Sequence, residues 1–310
     1  MIIGKIREIW RYPVKSMGGE KLQISSVGQI GIFGDRGWAL RDEKAREIRG
    51  AKHMPSLLQC SAKYREPPNG EKIPHVDITL PDGTQIGSDD REVNSCLSQL
   101  LGRQVSLWPL QPADNRSHYK RAQFGGSIMN RISRSRIFRP MLKSLITHSH
   151  LQTSVREFFS REPGEPIPDV TTFPELMEFT SPPGTYFDAF PIHLLTTSSL
   201  ATMSRYNPNA IWDVRRFRPN FLIETENCVE GLVEADWSGR TLHFGEISLK
   251  CEMPTVRCGM TMHAQAELPK DPSVLRTIVR DAEQNLGIYA SVTRLGSASV
   301  GCGVKLRGKR

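Results

Sequence analysis

The stretch GKIREIWRYPV, residues 4–14, alternates apolar and polar side chains at the strand period until Pro13 stops it. Outward from it the same texture continues. EKLQISSVG (20–28) repeats the pattern and ends on glycine, and HVDITLPDGTQIGS (75–88) reads as a strand, a Pro-Asp-Gly turn and a second strand. DREVNSCLSQLLG (90–102) breaks the rhythm: Val93, Cys96, Leu97, Leu100 and Leu101 follow helical spacing, and Gly102 marks the end. QVSLWPL (104–110) returns to strand. Residues 1–112 therefore read as one mostly β domain with a single helix.

Residues 113–165 differ in kind. Between Asp114 and Glu157 there is no acidic residue, while Arg116, Lys120, Arg121, Arg131, Arg134, Arg136, Arg139, Lys143 and Arg156 fall there. This basic connection reads as helical pieces around Pro140 and through SVREFFSRE. The proline-rich EPGEPIPDV and TSPPGTY follow. From 166 to 310 the pattern hardens into a second β-rich domain. IHLLTTSSLATMSRYNP is a strand running into a helix capped by Thr or Ser. RPNFLIET, TLHFGEISLKCEM and SVTRLGSASVGCGVKL are glycine-bounded strands. DPSVLRTIVRDAEQNLG predicts one amphipathic helix, with Asp271 as N-cap, Pro272 in the first turn and Gly287 as its stop. The fold class is mostly β with flanking helices (α+β), the second domain plausible as a barrel.

The 310 residues are 38% hydrophobic and 24% charged, a balance that supports packed cores and excludes wholesale disorder. Charges at Lys5, Arg7 and Glu8 argue against a secretory leader, and no apolar run is long enough to span a bilayer. A cytoplasmic location is the expectation. Six scattered cysteines then read as free thiols, since no pair has zinc or iron–sulfur spacing. The net charge of +8 is concentrated in the middle segment.

Four stretches carry candidate chemistry. In PTVRCGM (254–260), Cys258 follows Arg257. It is either a small buried hydrophobe or a thiolate favoured by the adjacent cation, able to attack or to bind a metal. Pro254 upstream suggests a turn rather than a strand interior. In YPVKS, Lys15 and Ser16 open into glycines and either cradle a phosphate or form a solvated turn. In GDRGWAL, Arg36 either holds an anion or pairs with Asp35 or Glu43. In RRFRPN, Arg215, Arg216 and Arg218 enter a strand beside Asn220; an Arg–Asn pair suits a polar ring, and a basic loop rim is the plain alternative.

Taken together, YPVKS, GDRGWAL, RRFRPN and PTVRCGMT in this order resemble MOSC-domain proteins with a MOSC N-terminal β-barrel domain. The likeness leans to the branch of the mitochondrial amidoxime-reducing component and its bacterial counterparts. It implies two β-barrel domains with molybdenum cofactor (Mo-molybdopterin) between them. By that resemblance Cys258 is the molybdenum ligand and catalytic residue. Lys15, Ser16, Arg36, Thr196, Thr197, Arg218, Asn220 and Arg257 are cofactor contacts. The family at large also brings a pyridoxal phosphate association.

The activity so implied is reduction of N-hydroxylated or N-oxygenated compounds, with electrons from a flavin reductase or a small haem or iron–sulfur protein. A persulfide-carrying sulfurtransferase using Cys258, or a non-enzymatic cofactor carrier, are the alternatives. After the cysteine the chain reads MTMHAQ, which makes His263 a candidate proton donor or a structural residue; GCGVKL near the end adds Cys302 as a second thiol. The basic middle segment has few interleaved aromatics, so it suits docking of an acidic redox protein better than nucleic acid.

Overall fold

The computed structural model describes residues 2–70, 72–122, 150–169, 178–226 and 229–308, with only the backbone given at 150–152 and 154. The expectations placed on Arg131, Arg134, Arg136, Arg139, Lys143, Pro140 and Cys228 lie outside these residues. Among the described residues ten strands come from the first half: β1 (Ile2–Arg11), β2 (Glu20–Leu22), β3 (Ile24–Gly28), β4 (Gly31–Ile32), β5 (Trp38–Asp42), β6 (Glu47–Arg49), β7 (Ser61–Tyr64), β8 (Val76–Thr79), β9 (Gln85–Gly87) and β10 (Val105–Pro109). Seven follow: β11 (Ile192–Thr196), β12 (Phe221–Glu224), β13 (Thr241–Phe244), β14 (Ile247–Val256), β15 (Asn285–Arg294), β16 (Gly296–Ser299) and β17 (Gly303–Arg307). The helices are α1 (Val93–Leu101), α2 (Arg116–Tyr119), α3 (His150–Phe159), α4 (Thr197–Tyr206) and α5 (Pro272–Asp281).

The protein is mostly β, as the alternation predicts. The largest sheet runs β12-β11-β15-β14-β13-β17-β1, and β1 pairs back with β12, so these strands close a barrel; β2 is appended to β1. Closure removes the open edges that a flat sheet would expose. Its one parallel pairing, β11 with β12, needs a crossover, and α4 supplies it. Ile6, Ile9, Leu194, Phe221, Leu242, Leu249 and Ile288 fill the barrel interior. The opening strand thus belongs to a barrel made otherwise from the second half. The remaining N-terminal strands form three-stranded sheets, two of them around a separate core containing Val14, Trp38, Leu40, Leu57, Ile78 and Leu97.

Helix α1 ends where expected, on Gly102 with φ of 60° in the left-handed region. Helix α4 starts on Thr196, whose side-chain oxygen accepts from the Ser199 backbone amide. Three expectations need correction. EKLQISSVG is not one strand: it is split between β2 and β3, which enter different sheets. The α5 segment stops at Asp281, because Glu283 and Gln284 take positive φ and Asn285 begins β15. Gly287 therefore sits inside a strand with φ of +87°, where an added Cβ would lie 2.3 Å from His193 Nε2.

Pro254 likewise lies within β14 rather than in a turn, at a place where the pairing with β15 slips register between Pro254 and Val256. A strand tolerates proline at such a bulge because the lost amide has no ladder partner there. The slip ends the strand and delivers Arg257 and Cys258 to one cavity. Among the described residues no helix is long and apolar enough to cross a membrane.

Candidate functional site

A cavity of about 340 Å³ opens where the barrel meets the N-terminal sheets. Its walls come from three places. The N-terminal half gives Lys15, Ser16, Arg36, Arg49 and the Gly50–His53 turn after β6. The barrel gives His193, Phe217, Arg218, Asn220, Arg257, Cys258 and Tyr289. The middle of the chain closes the rest with Arg121, Phe158, Phe159 and the loop carrying Phe187, Asp188 and Phe190. Seven Lys or Arg side chains and two carboxylates, Asp169 and Asp188, line it, so the cavity has a strong positive bias.

Asn220 ties the barrel together at this point. Its backbone amide donates to the His193 carbonyl at 2.7 Å, and its carbonyl accepts from Trp10 N at 2.8 Å. Its side chain accepts from the His193 amide and donates to Asp35 at 3.0 Å. Asp35 also accepts from the Tyr12 amide at 2.8 Å and pairs with Arg36. Asn220 is thus largely occupied in joining β1, β11 and β12. Arg218, two residues earlier, donates to the Met17 carbonyl and stacks over Tyr12.

Ser16, Arg36 and Arg218 all adopt positive φ, at 69°, 50° and 54°, and all three line the cavity. L-residues with side chains resist this region, and its cost is held in place by surrounding contacts. Burial pushes the Arg218 guanidinium down to about 10, against the pull of Tyr12, and leaves it cationic at neutral pH. Its Nη2 has no acceptor among the described residues, and neither does Arg257 Nε. A buried donor left unpaired costs about 1–3 kcal/mol. Besides Arg49 Nε, which faces the Glu47 carboxylate at 3.5 Å, these two donors in one cationic cavity point to an acceptor-rich ligand from outside the chain.

Arg257 is otherwise held by the Phe217 carbonyl at 2.9 Å and lies 3.5 Å from His193 Nε2. Burial first, and then Arg257, holds His193 well below the usual imidazole range, so its ring is neutral. Cys258 is partly exposed and lines the cavity. Its carbonyl accepts from Thr261 N and Oγ1 at 3.2 and 3.1 Å, which fixes the turn that follows. Arg216, fully buried, holds that segment further along by donating to the Thr261, His263 and Pro269 carbonyls. Arg161 donates to the Arg257 carbonyl at 2.8 Å, clamping the end of the middle segment against the cysteine.

Lys15 is not a free ammonium. It bonds to Asp188 at 2.7 Å, to the Tyr186 carbonyl at 2.6 Å and to Ser181 at 3.3 Å. Burial would raise the Asp188 carboxyl, but Lys15 and Lys52 outweigh it and hold the group below the usual carboxylate range. Ser16 Oγ accepts from the Ala51 amide at 2.9 Å.

The sequence-expected residues Lys15, Ser16, Arg36, Arg218, Asn220, Arg257 and Cys258 therefore come together. Thr196 and Thr197 do not. Thr196 donates to buried Glu234 while capping α4, and Thr197 bonds to Thr225, so neither hydroxyl lines the cavity. His263 and Cys302 also lie off it. Sequence reading missed Lys52, Arg121, Asp188 and the Phe158–Phe159 pair. Lys52 lies in an unremarkable loop, Arg121, Phe158 and Phe159 lie in the segment read as a basic connection, and Asp188 lies early in the segment read as the second domain.

Two family models match the chain: the MOSC N-terminal beta barrel domain over residues 3–111, and the MOSC domain over 182–305. The chain belongs to the MOSC-domain proteins that carry the N-terminal barrel domain. MOSC domains are associated with molybdenum cofactor binding. No observation on the described residues supports pyridoxal phosphate. Among solved structures, the YuaD protein of Bacillus subtilis is 12% identical over 99% of this chain and 97% of its own, with a TM-score of 0.42. YiiM from Escherichia coli is 14% identical over 39% of this chain and 55% of its own, with a TM-score of 0.28. Likenesses this distant do not bear on function. No curated protein matches the chain.

Proposed function

We propose that the protein binds the molybdenum cofactor in this cavity and reduces N-hydroxylated or other N-oxygenated small molecules with electrons from an external redox protein. The observation that carries the reading is the donor set: one thiol, Cys258, in a cationic cavity where Arg218 and Arg257 keep buried donors without acceptors. Among the described residues no cluster of three or more His, Cys, Asp or Glu side chains is placed to hold a metal ion. A metal here would rely on Cys258 and on ligands brought by a cofactor, and soft thiolate and dithiolene donors suit such a metal.

Bound there, the cofactor supplies a molybdenum centre that exchanges two electrons with the substrate. Cys258 would be its protein ligand, and Arg218, Arg257, Arg36 and Ser16 would hold its anionic and ring portions. Neutral His193 lies 3.5 Å from Arg257, and Asn220 holds Asp35, the partner of Arg36. The overall change is R–NHOH + 2 e⁻ + 2 H⁺ → R–NH₂ + H₂O. The redox partner provides the electrons and solvent the protons.

The test is metal and pterin analysis of wild type and Cys258→Ala from a cofactor-competent host. Near-stoichiometric molybdenum and pterin in wild type, with a lost or altered metal centre in the variant, is the expected result. A folded wild type with neither would overturn the reading, and assay of sulfane sulfur on Cys258 would then test the persulfide alternative.

A further inference from the structure

Every other cation lining the cavity hydrogen-bonds to protein. Lys15 is held by Asp188, Arg36 by Asp35 and Arg49 by Asp42; Arg121 is held by the Phe179 carbonyl, Arg218 by that of Met17 and Arg257 by that of Phe217. Lys52 is different. Among the described residues no oxygen accepts from its ammonium, which instead sits 3.3 Å from the centroid of the Phe158 ring and 5.2 Å from that of Phe159. The two rings meet edge-on, with centroids 5.0 Å apart.

Its electrostatic neighbours also differ. Burial lowers the Lys52 ammonium from its ordinary value, and the charge opposing that most strongly is Cys258, ahead of Asp188. Lys15, Arg36 and Arg218 respond instead to Asp188, Asp35 and Tyr12. Lys52, Phe158, Phe159 and Cys258 line the same cavity, and Lys52 is the ammonium there whose closest contacts are ring faces. An ammonium over a ring gains about 0.5–2 kcal/mol, less than a charged hydrogen bond to an oxyanion supplies in the same place.

We propose that Lys52 with Phe158 and Phe159 forms the substrate subsite beside Cys258, and that it selects flat aromatic N-oxygenated molecules bearing a carboxylate. This rests on the reductase reading above. The rings supply apolar faces for the aromatic body, and Lys52 supplies the donor for the acid group. Lys52 is a specificity-determining residue in this arrangement. The phenylalanines lie on α3, so the middle segment contributes to substrate choice as well as to closing the cavity.

The test pairs a carboxylated ligand with its neutral partner in the purified holoprotein. Calorimetry compares benzoate with benzamide, and steady-state kinetics compares 4-carboxybenzamidoxime with benzamidoxime. Wild type is expected to favour the carboxylate, and Lys52→Met to reduce that preference about tenfold or more, the loss of one charged hydrogen bond. Lys52→Arg, which keeps the charge, should restore most of the preference, with the change in KM rather than kcat. Equal affinity of the two ligands in wild type would overturn the proposal. So would loss of molybdenum or pterin from Lys52→Met, which would make Lys52 a cofactor contact. The reductase reading fails separately: a wild type without metal or reduction that still binds benzoate through Lys52 would end that reading and leave the subsite.

Discussion

The Arg218 guanidinium carbon lies 4.1 Å from the centroid of the Tyr12 ring, and Arg36 lies 5.0 Å from the same ring. The contact joins the end of the opening strand to the loop that enters β12, so the cavity floor is built by closing the barrel. It also concentrates like charge in a buried place, a cost that Asp35 offsets in part and an anionic ligand would offset further. Arg218→Met removes an unpaired buried donor, which stabilises, and also the cation–π contact and the hydrogen bond to the Met17 carbonyl, which together cost a similar amount. Stability of the ligand-free protein should change by no more than about 1 kcal/mol, while pterin content falls at least tenfold. Chemical denaturation alongside pterin analysis checks both; an equal loss of stability and pterin would make Arg218 merely structural.

Gly287 is the position in β15 least able to accept a side chain. A Cβ there would lie 2.3 Å from His193 Nε2 and 2.7 Å from the Leu194 carbonyl, in a backbone region that L-residues avoid. Gly287→Ala should cost about 2 kcal/mol or more and displace the ring that faces Arg257. A thermal melt within a degree of wild type would contradict this.

Arg216 donates to four carbonyls, those of Ile211, Thr261, His263 and Pro269, and its side chain is fully buried. Arg216→Met would fill the space but strand all four acceptors. A loss of about 3 kcal/mol or more is expected, together with loosening of the turn after Cys258. Hydrogen exchange over residues 259–269 would register that loosening even if the melt moved little.

Acid should weaken the fold while the ion-paired carboxylates, such as Asp188 and Asp42, are still charged. His193 is buried and its folded-state value lies well below the model-peptide value near 6.5, with burial the main cause and Arg257 the next. The unfolded chain therefore binds the extra proton first, so the contribution is complete above about pH 6.5 and is lost as pH falls below it. His53, His118 and His263 are lowered in the same direction by burial. Urea denaturation at pH 7 and pH 5.5 should show falling stability, and His193→Gln should shallow that slope by about 1 kcal/mol per pH unit. Parallel slopes in the two proteins would remove His193 from the account.

Much of the barrel could be read from local rules. The opening strand, a Thr or Ser cap at the start of α4 and the Asp271-Pro272 start of α5 depend on near neighbours, and each appears in the fold as expected. What escaped were features set by distant partners. Nothing near Gly287 signals that β15 begins where a helix seemed to continue, because pairing with β14 decides it. Lys52 and Asp188 become site residues only when the turn after β6 and the loop before β11 meet across the cavity. Thr196 and Thr197, expected as cofactor contacts from the resemblance alone, bond to buried Glu234 and to Thr225.

Thiol labelling separates the reactive cysteines from the inert ones and bears directly on Cys258. Burial pushes Cys60 up to about 11 and Cys251 up to about 12, so neither should label at pH 8 until the protein unfolds. Cys96, Cys258 and Cys302 are partly exposed, and hydrogen bonds from Ser299 lower the Cys302 thiol. All three should react with iodoacetamide in the cofactor-free protein, read site by site by peptide mass spectrometry. Loading with cofactor should slow alkylation of Cys258 at least tenfold, since a thiolate shared with a metal is a poor nucleophile, and leave Cys96 and Cys302 at their earlier rates. Protection of all three would report general tightening of the fold, and protection of none would leave Cys258 without a metal.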